Sequence, residues 1–230
     1  GPNTITFDSL SDGPHTNCTI TVTDVSANVS NVIDVSDFTI DTVPPDVTIS
    51  STETDPTNAS PVPFTATFSE DMTGFSGADI DLVNGILSSF VSASASVYNF
   101  GVVPVIQGLM TVDIDINSAI DTAGNNNTAA TQFGITYDSV SPVIAEVTPV
   151  PPLDTNNTPD YTFSSDEAGD ITYDGGCSSV TTVASVGSNT VTFDSLADGT
   201  YNCTVRVTDA AGNLSNLLVV SAFTIDTTDP

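Results

Sequence analysis

In its 230 residues the chain has no lysine and no tryptophan, and it holds one arginine, one histidine and three cysteines. Without lysine it cannot lock itself with a lysine-asparagine isopeptide bond. One imidazole, His15, leaves little for a zinc or redox-metal centre. A Ser-His-Asp triad would have to be built on that same residue, so hydrolysis of that type is not expected. The absence of tryptophan removes the broadest aromatic platform for sugars, so paired carboxylates here do not read as a glycosidase. No apolar run is long enough to cross a membrane as a helix, and no charged-then-apolar leader opens the chain. Export signals and anchors are expected outside this piece.

Against the single cation, Arg206, stand 29 acidic residues, for a formal net charge of −28. Such a polyanion repels nucleic acid and anionic lipid, so neither is expected as a partner. It also repels itself, and with almost no internal cations the compensation must come from salt or bound metal ions. Hydrophobic residues make up 39% of the chain, enough to build cores, so the acidity does not imply disorder.

The stretch Phe38-Thr39-Ile40-Asp41-Thr42-Val43-Pro44 returns as Phe223-Thr224-Ile225-Asp226-Thr227-Thr228, and more loosely as Phe133-Gly134-Ile135-Thr136-Tyr137-Asp138 ending in Pro142. The spacing is that of one small all-β domain, and each copy reads as a strand running into a proline-stiffened linker. The copy extends further, since Asn3 to Leu10 aligns with Asn189 to Leu196 and Asn17-Cys18-Thr19 with Asn202-Cys203-Thr204. The chain therefore divides into 1–43, the C-terminal part (strands E to G) of an immunoglobulin-like domain, then 44–140 and 141–230. Missing first strands and a partner for Cys18 are expected before Gly1, and the array is expected to continue past Pro230.

Period-two alternation marks strands at Thr190 to Phe193, Cys203 to Thr208 and Val219 to Ile225. In 44–140, strands are predicted at Val47 to Ser50, Pro63 to Ser69, Ile80 to Val83, Ile86 to Val91, Val97 to Val103, Leu109 to Ile114 and Gln132 to Tyr137. No segment has helical periodicity, so the fold class is all-β, as tandem immunoglobulin-like sandwiches in an elongated rod. Tyr201, two residues before Cys203, reads as a tyrosine corner at the start of strand F. In the first copy His15 and Thr16 stand there, which weakens that corner, and His15 reads as a surface residue. Strand C of the last domain, Asp170 to Tyr173, should lie antiparallel to strand F. That places Cys177 beside Cys203 and predicts a disulfide between neighbouring strands, suited to an oxidising, extracellular setting.

The segments Tyr161 to Gly169, Leu196 to Tyr201 and Asp209 to Asn213, with Phe68 to Phe75 and Asp121 to Asn125, resemble the bacterial immunoglobulin-like repeats of large surface adhesins and biofilm-associated proteins. The resemblance implies a secreted or cell-surface array, calcium-binding in several relatives. Ala27, in Asp24 to Asn28, replaces the glycine usual in that loop.

In such a sandwich the B–C and F–G loops gather where the chain enters. That brings Asp41 of the linker together with Glu70, Asp71, Asp121 and Asn125, and Asp138 with Asp166, Glu167, Asp209 and Asn213. Convergent carboxylates repel unless a cation joins them, and calcium accepts six to eight oxygens in irregular geometry, so Ca2+ is the expected ligand at each junction. The competing reading is that Asp and Asn before glycine are ordinary turn residues. Seven Asn-x-Ser/Thr sequons read mostly as chance in a chain this rich in Asn, Ser and Thr.

The function expected is a non-catalytic stalk, spacer or fibre segment of an extracellular bacterial adhesin or surface filament. Its partners would be neighbouring repeats of the same chain and, in a fibre, further copies. The alternatives are a ligand- or glycan-binding module, for which Phe75, Phe90, Tyr98 and Phe100 are the candidates, and an accessory module of a secreted enzyme.

Overall fold

The computed structural model of the chain describes residues 2–229. Among these residues the regular secondary structure is nearly all strand, and the one short 3-10 turn, Gly77–Asp79, is closed by a capping box in which Ser76 and Asp79 bond each other's backbone.

The first unit contributes four short strands: β1 (Gly13–His15), β2 (Thr19–Ile20), β3 (Ile33–Asp34) and β4 (Phe38–Ile40). They form one bent hairpin, with β1 against β4 and β2 against β3.

The second unit holds β5 (Val47–Ser51), β6 (Val62–Phe68), β7 (Met72–Thr73), β8 (Ile80–Val83), β9 (Gly85–Ser92), β10 (Val97–Pro104), β11 (Gly108–Ile114), β12 (Ile120–Asp121) and β13 (Phe133–Tyr137). One sheet has the order β5-β6-β10-β9 and the other β13-β11-β8, which is the A-B-E-D over G-F-C arrangement of an immunoglobulin sandwich. All seven predicted strands form. The alternation that foretold them is visible in β6, where Val62, Phe64, Ala66 and Phe68 point inward and Pro63, Thr65 and Thr67 do not. Phe64 stacks on Phe100 at 5.5 Å and meets the edge of Phe133 at 5.6 Å. Phe75, Tyr98 and Phe100 are buried in this core and Phe90 packs against it, so none of the four aromatic candidates offers a free sugar platform.

The third unit holds β14 (Ile144–Thr148), β15 (Leu153–Asp154), β16 (Asp160–Ser165), β17 (Gly169–Asp174), β18 (Val183–Ala184), β19 (Gly187–Thr192), β20 (Gly199–Tyr201), β21 (Thr204–Thr208), β22 (Leu218–Val219) and β23 (Phe223–Ile225). Its layers are β14-β16-β19 and β18-β17-β21-β22, while β15 lies parallel to β23. Phe193, Phe223, Tyr161 and Phe163 fill the space between.

β17 pairs antiparallel with β21, with Asp174 opposite Thr204. The two strand ends hold Cys177 and Cys203 with Cα atoms 5.7 Å apart, and the disulfide joins them as strand neighbours. The turn needs glycine at Gly175, where φ is +76° and a Cβ would fall on the Asn202 carbonyl. Tyr201 Oη donates to the Ala197 carbonyl at 2.8 Å and stacks on Phe223, completing the tyrosine corner.

The same corner exists in the first unit with a different side chain. His15 Nε2 lies 2.9 Å from the Ser11 carbonyl and the ring stacks on Phe38, the place of Phe223. His15 is therefore a corner residue and not an unengaged surface one.

Phe7 is 46% exposed where Phe193 is 1%, and Ile5 is 56% exposed where Val191 is fully buried. Cys18 forms no disulfide among the described residues.

Candidate metal centres at the linkers

Each F–G loop is built around one aspartate. In the second unit Asp121 Oδ1 accepts from the backbone N–H groups of Ala123, Gly124 and Asn125 at 2.6 to 2.9 Å, and its Oδ2 accepts from Asn125 Nδ2 at 2.9 Å. In the third unit Asp209 takes the same bonds from Asn213, at 2.8 and 2.9 Å. In the first unit Asp24 takes them from Ser26 and Asn28. The loop needs one residue with positive φ, supplied by Gly124 (+98°) and Gly212 (+90°). Ala27 meets the same demand at +65°, which costs about 1 kcal/mol for a residue with a Cβ. The missing glycine thus leaves the first loop intact.

The asparagine that closes each loop also ties it to the preceding linker. Asn125 Nδ2 donates to the Asp41 carbonyl at 3.1 Å, and Asn213 Nδ2 to the Asp138 carbonyl at 2.9 Å. The linker aspartates in turn hold their own turns, Asp41 Oδ1 accepting from Val43 N–H and Asp138 Oδ1 from Val140 N–H.

Beside each aspartate pair stands a glutamate. Asp41, Glu70 and Asp121 bring carboxylate oxygens within 4.8 Å of one another, and so do Asp138, Glu167 and Asp209. Burial raises the Glu70 carboxyl above the ordinary range, helped by the charges of Asp41 and Asp121. Glu167 is raised in the same way by burial and by Asp138, Asp209 and Asp166. Burial opposes ionisation of Asp121 too, but its hydrogen bonds from Asn125, Gly124 and Ala123 outweigh it and hold that carboxyl below the ordinary range. Neither glutamate carboxylate accepts a hydrogen bond among the described residues. Arg206, the one cation among the side chains, donates instead to the Ser215 carbonyl at 3.0 Å.

Of the ten residues expected at these sites, six supply the clustered carboxylates and Asn125 and Asn213 act as ties through their amide nitrogens. Asp71 is exposed and stands outside the first trio. Asp166 stands outside the second, because its Oδ1 accepts from Val143 N–H at 2.6 Å. Its structural equivalent is Ser69, whose Oγ accepts from Asp46 N–H at 3.0 Å. The two B–C loops thus align Ser69 with Asp166 and Glu70 with Glu167, one residue away from the register that the acidic pairs suggest.

A further tie was not legible in the sequence. Asn58 Nδ2 donates to Asn213 Oδ1 at 3.0 Å, fastening the second unit to the F–G loop of the third. Asn58 has no motif around it and reads only as a sequon.

The all-oxygen donor set suits a hard divalent cation, and the glutamates, anionic and unbonded beside two more anions, are the groups such an ion would relieve. The trios fit calcium on these grounds.

Comparison with known proteins matches residues 41–137 to one family of bacterial Ig-like domains and residues 153–227 to a second family of the same description. No curated protein sequence matches the chain. Among solved structures, the adhesin InvE of Yersinia pseudotuberculosis is 12% identical over 79% of this chain and 58% of its own, with a TM-score of 0.32. The N-terminal part of the bacterial S-layer protein SbsC is 13% identical over 80% of this chain and 44% of its own, at 0.31. The fibronectin(III)-like modules of Clostridium thermocellum CbhA are 13% identical over 78% and 94%, at 0.44. The chain spans about half the length of the first two. Two sandwiches in tandem, each with its own core and its own family match, make the conclusion direct: the chain belongs to the bacterial immunoglobulin-like domains.

Proposed function

We propose that the chain is a non-catalytic structural segment of an extracellular bacterial surface protein, a rod-like stalk or fibre repeat whose linkers are stiffened by calcium. The observation that carries the reading is the recurrence of one carboxylate trio at equivalent places, each joining a linker, a B–C loop and an F–G loop. A turn residue can occur anywhere; three converging carboxylates at both linkers are what a junction lock requires. Asp41, Glu70 and Asp121 would hold one ion and Asp138, Glu167 and Asp209 the other, with the ion supplying the positive charge that the side chains lack. Asn125 and Asn213 hold each loop against its linker, so ion binding at the loop restrains the linker as well.

Support for a spacer role also comes from the four aromatic candidates of the second unit, which pack in or against its core, and from His15, which is spent on a corner.

Thermal unfolding in excess chelator and in millimolar calcium, at fixed ionic strength, tests the reading. An ion at one hundred times its dissociation constant adds about 2.7 kcal/mol per site, a rise of several degrees. Glu70→Gln and Glu167→Gln should each abolish the rise for one unit without disturbing the loop, because neither carboxylate bonds the chain. A rise equal in magnesium and calcium, or one that survives both substitutions, rejects calcium-locked linkers.

A further inference from the structure

One sheet of this acidic chain is free of charge. β5, β6, β10 and β9 contain no Asp, Glu or Arg, and the sequence is uncharged from Leu82 to Val112. Every other sheet of three or more strands among the described residues carries acid: Asp81 and Asp113 face each other across β8 and β11, and Glu146, Asp154, Asp160, Asp170 and Asp174 lie in strands of the third unit.

β9 is the outer strand of the neutral sheet, paired with β10 on one side and with no strand on the other. Neither a charge nor a proline, two of the usual guards of an exposed edge, interrupts it. Its one irregularity is a bulge: pairing with β10 passes from Gly101 opposite Ser89 to Val102 opposite Leu87, so Ser88 is the extra residue. Strict alternation would put Ile86 and Val91 on opposite faces. With the bulge both face outward, 62% and 60% exposed, while Leu87 and Phe90 both turn to the core. Read in either direction, β9 is outward apolar, inward apolar, two serines, inward apolar, outward apolar.

We propose that β9 pairs antiparallel with β9 of a second copy, about a two-fold axis between Ser88 and Ser89. Ile86 then stands opposite Val91 of the partner subunit on the outer face, and Leu87 opposite Phe90 of the partner subunit on the inner face. The free backbone groups of both edges are satisfied and the two neutral sheets become one. The occupant is a second copy because the strand matches itself in direction and facing. On the second unit's other sheet and on the sheets of the third unit, contact between copies brings carboxylate against carboxylate, and a basic partner would be drawn to those acidic sheets instead. This pairing is independent of the calcium reading.

Sedimentation equilibrium of the 230-residue chain carrying Cys18→Ser, in chelator, tests it across micromolar to submillimolar concentrations. A reversible monomer–dimer equilibrium is expected, tighter at about 0.5 M salt than at low salt because both copies remain strongly anionic. Ser89→Glu, which sets like charges at the axis, should weaken association by about tenfold or more. Thr48→Glu, exposed on β5 at the far edge of the same sheet, should leave it unchanged. Both residues are exposed, so an unchanged melting transition shows that each variant is folded. A monomer at every concentration and salt overturns the proposal. An equal loss in both variants overturns it in favour of contact through the sheet face, and a loss confined to Thr48→Glu in favour of the β5 edge.

Discussion

Removing the Cys177–Cys203 bond should destabilise the third unit and leave the second untouched. The bond closes a loop with a sequence separation of 26 residues, for which the chain-entropy relation gives about 3.5 kcal/mol at 25 °C. In a unit of this size each kcal/mol moves the midpoint by about 4–8 °C, so the third transition should fall by about 14–28 °C. Cys203 is fully buried and Cys177 nearly so, which puts the double Cys177→Ala/Cys203→Ala variant at the upper end, because small cavities replace the two sulfurs. Differential scanning calorimetry in a Cys18→Ser background is the assay, since two cores with separate residues should melt as two transitions. The transition of the second unit serves as the internal reference. A drop of less than about 5 °C in the third transition would refute the entropic argument, and an equal drop in both would refute the independence of the two cores.

The trios give a pH prediction whose sign is fixed by the direction of the glutamate shifts. Glu70 and Glu167 have folded pKa values raised above the unfolded one, so they bind protons more tightly when folded. Their contribution is present at low pH and lost as pH rises through the raised value. In chelator, Glu70→Gln should therefore raise the second transition at pH 7 and have little effect near pH 4; a fall at pH 7 would mean that the three carboxylates do not repel. The tyrosine corner gives another. Tyr201→Phe removes the bond to the Ala197 carbonyl while keeping the stack on Phe223, and should cost the third unit about 0.5–1.5 kcal/mol in denaturant unfolding, without a change in m-value.

Much of the site was legible because it is local. Asp, Gly and Asn at fixed spacing close on themselves, so Asp121 to Asn125 and Asp209 to Asn213 announce their loops before any fold is known. The B–C contribution was less legible because adjacent acids look alike on paper. Glu70 belongs with Glu167 only because Ser69 and Asp166 both hold the strand that enters each unit, a contact to Asp46 or Val143 more than twenty positions away. Asn58 was illegible for the same reason at longer range: its partner, Asn213, is brought to it by the packing of one domain on the next.

The sequence by itself determined the kind of object. Alternation of apolar and polar residues placed the strands, the repeated Phe-Thr-Ile-Asp segments placed the linkers, and the Tyr201 and Cys203 spacing placed strand F. Each is a pattern carried by neighbouring residues. Whether such a pattern becomes a strand was decided only by tertiary structure. Asn189-Thr190-Val191-Thr192 is part of β19 because β16 pairs with it. Asn3-Thr4-Ile5-Thr6, nearly the same residues, forms no strand and leaves Ile5 in water. A strand's hydrogen bonds and its dry face both come from another segment, and so nearly the same four residues form a strand in one copy and not in the other.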